Sequence, residues 1–320
     1  MTPVPGMTAG LAQARLVQRR QAWLGLACVA PYALLVLAVI FWPFLAILLK
    51  SLQAGDSVIL SFLADPWAAL QEPFSGQNYM DIVRQPHYRG VLASTFFLAF
   101  SVATSLCLVA VFVGFFIARN ERWGMTVTAI VTFPSLAPAI TVIYGVLWLL
   151  GPVGPVNRLL VDVLGVSDAP LHLTGTMAAV IVGDFALFST MAIRMMASLF
   201  EMLDPALEAA SISLGSTSWQ TFRHITLPLV LPGLAAVWIF VFVRAMTAYV
   251  AALLLGGGAA GVRVVALEVY SQVQGIGVSS NLGQVCALAV ILAVVTVLGR
   301  MMFLYVIRRS FAGRLGGELM

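Results

Sequence analysis

The sequence is short of charge: 9% of its 320 residues are Asp, Glu, Lys or Arg, against 61% hydrophobic. A soluble globular chain carries about 25% charged residues. Too little polar material is present to coat a water-facing surface, so lipid must be the solvent for most of the chain. Lysine is scarcer still, with Lys50 alone. A phosphate-binding P-loop needs a lysine followed by Ser or Thr after a glycine-rich turn, so that backbone amides and the ammonium cradle phosphates. Lys50 follows Ala46-Ile47-Leu48-Leu49 instead. ATP hydrolysis by that route is excluded in this chain, and no catalytic residue is expected. Cysteine is limited to Cys28, Cys107 and Cys286, each inside an apolar run and without C-x-x-C spacing. Neither a metal site nor a disulfide framework is suggested. The net charge of +4 comes from basic residues scattered over loop ends, which carries no nucleic-acid signal.

What is abundant is long apolar runs. About six stretches approach the roughly 20 residues needed to cross a bilayer: 23–49, 92–118, 125–150, 176–199, 229–255 and 282–307. The third holds Pro134 and Pro138, which a membrane helix tolerates where neighbouring helices satisfy the freed backbone groups. With the amino terminus in the cytoplasm, eleven basic residues fall on inside segments and five outside, with Arg244 within a span. The positive-inside bias therefore places both termini in the cytoplasm. The first run is too long for a signal-peptide core of about 7–15 residues, so it is read as an uncleaved anchor. An all-α integral membrane fold is expected, with residues 1–320 as one domain. The one sizeable outer loop, about 50–90, carries Asp56, Asp65, Glu72 and Asp81.

The segment 200–228 is too polar to span the membrane, yet it is patterned. Leu203, Leu207, Ala210 and Leu214 recur at steps of four, three and four, which draws one apolar helix face. Gly215 follows as a helix stop, because glycine takes a left-handed conformation without steric cost. Trp219, Phe222 and Ile225 then recur every three residues, and Pro228 closes the segment. A short helix with an apolar face at the cytoplasmic surface suits a groove in a partner protein.

Ionisable groups inside spans are expensive and face a bundle interior or a water-filled path. Asp184 in the fourth run and Arg244 in the fifth are the clearest cases. Either they line a solute path, Asp184 attracting a cation or Arg244 an anion, or they pair with each other or with a neighbour and hold the bundle together. Arg194 reads as a side chain reaching for the cytoplasmic interface.

The stretch from Leu203-Asp204-Pro205-Ala206-Leu207-Glu208-Ala209-Ala210 through Gly215 to Ile225-Thr226-Leu227-Pro228 resembles the EAA loop of binding-protein-dependent ABC importer permeases. Counting back from Gly215, the family's usual glutamate falls on Ala209, with Glu208 one position earlier. Ser94-Thr95, Ala118-Arg119, the Pro134 and Pro138 pair, and Gly154 to Asn157 are similar to residues that such permeases carry at these places. Phe242 to Thr247 is similar to stretches in permeases for ferric iron, polyamines and thiamine.

The resemblance implies a type I importer permease fold and a bacterial inner-membrane location. It also implies a subunit that forms a path for a small polar solute. A second permease, alike or different, would complete the path, and an extracytoplasmic binding protein would deliver the solute. An ABC ATPase dimer would hold ATP and Mg, leaving no cofactor in this chain. Leu207, Glu208, Ala209, Ala210, Leu214, Gly215, Trp219 and Phe222 would then couple to the ATPase, with His224 at the same contact. Tyr249 and the turn Gly256 to Gly258 would lie near the outer gate. Against a secondary transporter stand a single mid-span acid and no evident repeat between the halves.

Overall fold

The computed structural model describes residues 30–32, 34–53, 73–165, 169–258, 261–274 and 282–315, with side chains to 308. Cys28, Arg15, Arg19, Arg20, Asp56, Asp65 and Glu72, the start of the first run, and the side chains of Arg309 and Arg314 lie outside the described residues.

Among the described residues the chain is helical, with no strand and one isolated bridge, Gln53 with Phe74. Six helical segments are long and apolar enough to cross a membrane. They are α1 (Ala30–Ser51), α3 (Pro86–Arg119), the segment Ala139–Val163, α7 (Met177–Glu201), the segment Ser218–Met246 and α13, whose apolar part is Leu282–Arg308. A short helix α2 (Gln77–Arg84) precedes α3 on the outer side.

Two runs depart from the expected continuous spans. The third, expected over 125–150, is split into α4 (Gly124–Thr132), a 3-10 turn (Phe133–Leu136) and α5 (Ala139–Leu150). Pro134 and Pro138 lack the amide hydrogens a continuous helix requires. The apolar length is then completed on the far side by α6 (Pro155–Arg158) and a π-turn to Val163. The fifth, expected over 229–255, breaks earlier: α10 (Leu227–Met246) ends before Thr247, and a separate α11 (Val250–Leu255) follows. Composition alone could not place that break, because the apolar residues continue across it.

The core lies between α3 and α7. Leu98, Val102, Leu106 and Ala110 of α3 are buried in one cluster with Val180, Ile193 and Met196 of α7. A Cβ at Gly114 would stand 2.9 Å from the Met196 Cβ, so glycine lets the two helices approach closely. Membrane helices gain from such small-residue contacts, since lipid offers no hydrophobic drive for association. Trp238 of α10 adds a hydrogen bond from its indole nitrogen to the Thr104 hydroxyl on α3, at 3.2 Å.

Polar side chains fix the connections. Thr176 caps α7, its hydroxyl accepting from the Ala179 amide at 3.2 Å. Asn157 is buried and bonded on both sides of its amide. Its nitrogen donates to the carbonyls of Gly151 and Leu171, and its oxygen accepts from the Leu171 amide. The Gly154 to Asn157 stretch is therefore a loop staple.

Candidate functional site

The segment 200–228 is built as two short helices at the end of the bundle that the charge bias assigns to the cytoplasm. Helix α8 (Pro205–Ser213) starts at Asp204, whose carboxylate accepts from the Ala206 amide at 2.9 Å, with Pro205 at the first helical position. It ends at Gly215, where φ is +95° and the amide donates to the Ile212 carbonyl at 2.9 Å. Helix α9 (Ser218–Thr221) opens with a capping box between Thr217 and Gln220. The Ser211 and Thr221 hydroxyls, buried and 3.0 Å apart, pin the two helices together.

Glu208 is the polar anchor. Arg119, the last residue of α3, donates from Nε to both carboxylate oxygens at 3.1 Å and from Nη2 to Oε1 at 2.9 Å. Thr226 adds its hydroxyl to Oε1 at 3.1 Å, and Arg119 also reaches the Leu203 carbonyl at 3.4 Å. Such two-pronged charged contacts are directional as well as strong. The carboxylate is thereby turned toward its own chain. Arg119 and Thr226 are the partners that helical periodicity did not bring out. The available signal was an arginine ending a span in the same compartment as a loop acid inside the patterned helix.

The expected apolar face divides. Leu203 is buried in the chain's own core, whereas Leu207, Ala209, Ala210 and Leu214 are exposed, Leu214 at 88%. Trp219 is 59% exposed and stacks on Phe222, with ring centroids 5.6 Å apart. Phe222, also expected to couple, faces the chain's own core. It is buried against Phe115, Phe200 and Phe112, at the start of a π-turn (Phe222–Thr226). His224 is exposed, and its ring Nδ1 lies 2.9 Å from the Gln220 carbonyl.

Within the spans, Asp184 and Arg244 do not pair with each other. Asp184 is 1% exposed, and neither carboxylate oxygen has a hydrogen-bond partner among the described residues. Arg244 is exposed, with its guanidinium carbon 5.8 Å from the centre of the Phe188 ring, one helical turn past Asp184. Directly beyond Arg244 comes the break at Thr247, whose hydroxyl donates back to the Arg244 carbonyl at 3.0 Å. Tyr249 follows, exposed and stacked on Tyr270 at 5.2 Å. Non-helical backbone at membrane depth is tolerated where it is packed in protein or lines water.

On the outer side, helix α12 (Val265–Val273) carries the buried Glu268. Arg263 and Gln272 donate to it at 2.9 and 3.0 Å, and His87 stands 3.4 Å away. Burial pushes this carboxyl up, but the bonds from Gln272 and Arg263, the Arg263 charge and the His87 contact outweigh it, leaving the group below the usual glutamate range. Thr95 accepts from the Val265 amide at 2.9 Å, so Ser94-Thr95 ties α3 to the start of α12. Among the described residues no group of three His, Cys, Asp or Glu side chains is placed to hold a metal ion.

Comparison with known proteins accords with this arrangement. A family model described as binding-protein-dependent transport system inner membrane component matches residues 108–311. The molybdenum transport system permease protein ModB of Haemophilus influenzae is 28% identical over 63% of this chain and 88% of its own. The spermidine/putrescine transport system permease protein PotB of the same organism is 30% identical, over 58% of this chain and 64% of its own length. A crystal structure of a bacterial alginate ABC transporter, in complex with its pentasaccharide-bound periplasmic protein, contains a chain of the same fold. That match has a TM-score of 0.69 and 17% identity, and it covers 91% of this chain and 96% of that one. With six apolar helices, an all-helical permease fold and a family match over more than half its length, this chain belongs to the inner-membrane permease components of binding-protein-dependent ABC importers.

Proposed function

We propose that this permease engages a separate ABC ATPase through α8 and α9 and carries a small anionic solute past Arg244. The observation that carries the coupling role is the uncovered apolar face of Leu207, Leu214 and Trp219, mounted beside the Glu208–Arg119 lock. Exposed apolar groups clustered on a rigid element mark a protein contact. The lock ties α8 to the end of α3, so that a push on the loop is delivered to the helix at the centre of the bundle. ATP and Mg belong to the ATPase in this reading. A second permease completes the path, and an extracytoplasmic binding protein supplies the solute.

The charge of the solute follows from what the spans expose. Arg244 is exposed next to a helix break, while Asp184, the acid at comparable depth, is sealed. An intramembrane cation presented this way faces a water-filled path rather than lipid. Of the two named relatives, one is a molybdenum permease and the other serves spermidine and putrescine, which are polycations. A path whose exposed charge is positive favours an anion over a polycation.

The test is ATPase activity of the reconstituted complex with its binding protein, against oxyanions, ferric chelates, thiamine and polyamines. Stimulation by an oxyanion or another anionic solute is expected. Stimulation by polyamines alone would overturn the charge assignment. Coupling is tested by Leu214→Asp, which is expected to lose the copurifying ATPase; undiminished copurification and uptake would overturn the docking surface.

A further inference from the structure

At the cytoplasmic half of the bundle, α7, α10 and α13 enclose an open cavity of about 630 Å³. Its wall is apolar, with Met191, Met195, Phe303 and Ile307 contributing, and Arg194 is its one charged group. Gly233 of α10 narrows the floor: a Cβ there would stand 2.7 Å from Leu199 of α7. The Thr190 hydroxyl on the rim is already committed, donating to the Val131 carbonyl at 2.6 Å. Arg194 is exposed, and among the described residues it has neither an ion pair nor a hydrogen bond. Glu201, two turns further along the same helix, makes no ion pair with it.

Depth identifies the occupant. Helix α7 has 25 residues, which at a rise of about 1.5 Å per residue gives about 37 Å. The hydrocarbon layer is about 30 Å thick, so each end of the helix overhangs by about 3–4 Å. Arg194 lies seven residues before Glu201, which places its Cα about 7 Å inside the cytoplasmic boundary. An arginine side chain extends about 6 Å, so the guanidinium can come within about 1 Å of the cytoplasmic boundary while its stem and the cavity below stay among acyl chains. Arg308, exposed and next after Ile307, brings a second cation to the same edge.

We infer that this cavity is a binding site for an anionic phospholipid of the inner leaflet. The acyl chains fill the apolar cleft between α7 and α13, and the phosphate is held by Arg194. A neutral solute would gain nothing from the cation, and an inorganic anion would leave the apolar wall uncovered.

The test replaces Met191 with benzoylphenylalanine in the complete transporter, held in bilayers of one part phosphatidylglycerol to three parts phosphatidylcholine. After irradiation, the mass of the adduct on this chain is read. Phosphatidylglycerol adducts are expected to exceed the bulk ratio at least fivefold, to return to it in Arg194→Gln and to persist in Arg194→Lys. An adduct ratio equal to bulk would overturn the proposal, as would an adduct with a second permease chain. If Arg194→Gln does not assemble, the ratio in the unsubstituted complex and in Arg194→Lys decides the matter alone.

Discussion

Glu208 and Arg119 are 89 residues apart in sequence and meet through both carboxylate oxygens at 2.9–3.1 Å, joining the loop helix α8 to the end of α3. Both side chains are less than one-fifth exposed. Charged hydrogen bonds of this kind contribute about 1.5–3 kcal/mol when partly shielded. A double-mutant cycle with Glu208→Gln and Arg119→Gln, read by thermal unfolding of the complex, is expected to give a coupling energy of about 1–3 kcal/mol. The same variants should lower solute transported per ATP hydrolysed more than hydrolysis itself. Additive stability effects with unchanged coupling would remove the lock from the mechanism.

Phe222 and Trp219 stack on one another but answer to different demands, because the first is buried and the second is open. Truncating a buried phenylalanine costs about 3–5 kcal/mol. Phe222→Ala should therefore lower the melting temperature of the isolated permease. Trp219→Ala should leave that temperature nearly unchanged while weakening ATPase copurification. If both variants lose stability and neither loses ATPase, the exposed face is no docking surface.

These contrasts separate what the sequence carries from what it does not. The six spans and the loop helices were legible because each rests on local pattern: apolar length, a step of three or four, and a glycine after the last turn. Gly215 at positive φ and the exposed Leu207 and Leu214 follow from that pattern. The burial of Phe222 was not legible, because its partners Phe112, Phe115 and Phe200 come from α3 and α7, which no local repeat brings next to it. The break after Met246 was equally hidden, since Val250 to Leu255 is as apolar as what precedes it. Nor does local pattern say whether Asp184 and Arg244 meet: that depends on the rotation of α7 against α10, which long-range packing sets.

Asp184 has no hydrogen-bond partner among the described residues, so its carboxyl adds nothing evident to stability in this state. Removing a buried polar group that lacks partners is neutral or stabilising when its space stays filled. Asp184→Leu is expected to keep or raise the melting temperature. Loss of uptake in that stable variant would show that the carboxyl finds its partner in another conformation of the cycle. A marked loss of stability would show instead that the side chain is bonded in the membrane.

Glu268 supplies a pH dependence on the outer face. Its folded pKa lies below the ordinary value of 4.5, so its contribution is complete above the unfolded value and disappears as pH falls through the folded one. Melting temperature should fall on the acid side of about pH 5, with Glu268→Gln flattening that limb. The same variant leaves Arg263 without its carboxylate partner and should be less stable at neutral pH. An acid limb unchanged in Glu268→Gln would assign the effect to other carboxyls.

In the proposed path, Arg244 sets the charge of the solute. Its guanidinium rests on Phe188, which holds the cation at low entropic cost while leaving its edge open for hydrogen bonds. A charged hydrogen bond to an anion contributes about 1.5–3 kcal/mol, equivalent to about 10–100-fold in apparent affinity. Arg244→Gln should therefore raise the concentration of an anionic solute needed for half-maximal ATPase stimulation by about that factor. Arg244→Lys should recover part of it, because lysine keeps the charge but loses the planar fork. Basal hydrolysis and assembly should be unaffected, since the residue lies at the opposite end of α10 from α8 and α9. A polycation that stimulates equally well in the unsubstituted complex and in Arg244→Gln would place the recognition of solute elsewhere on the path.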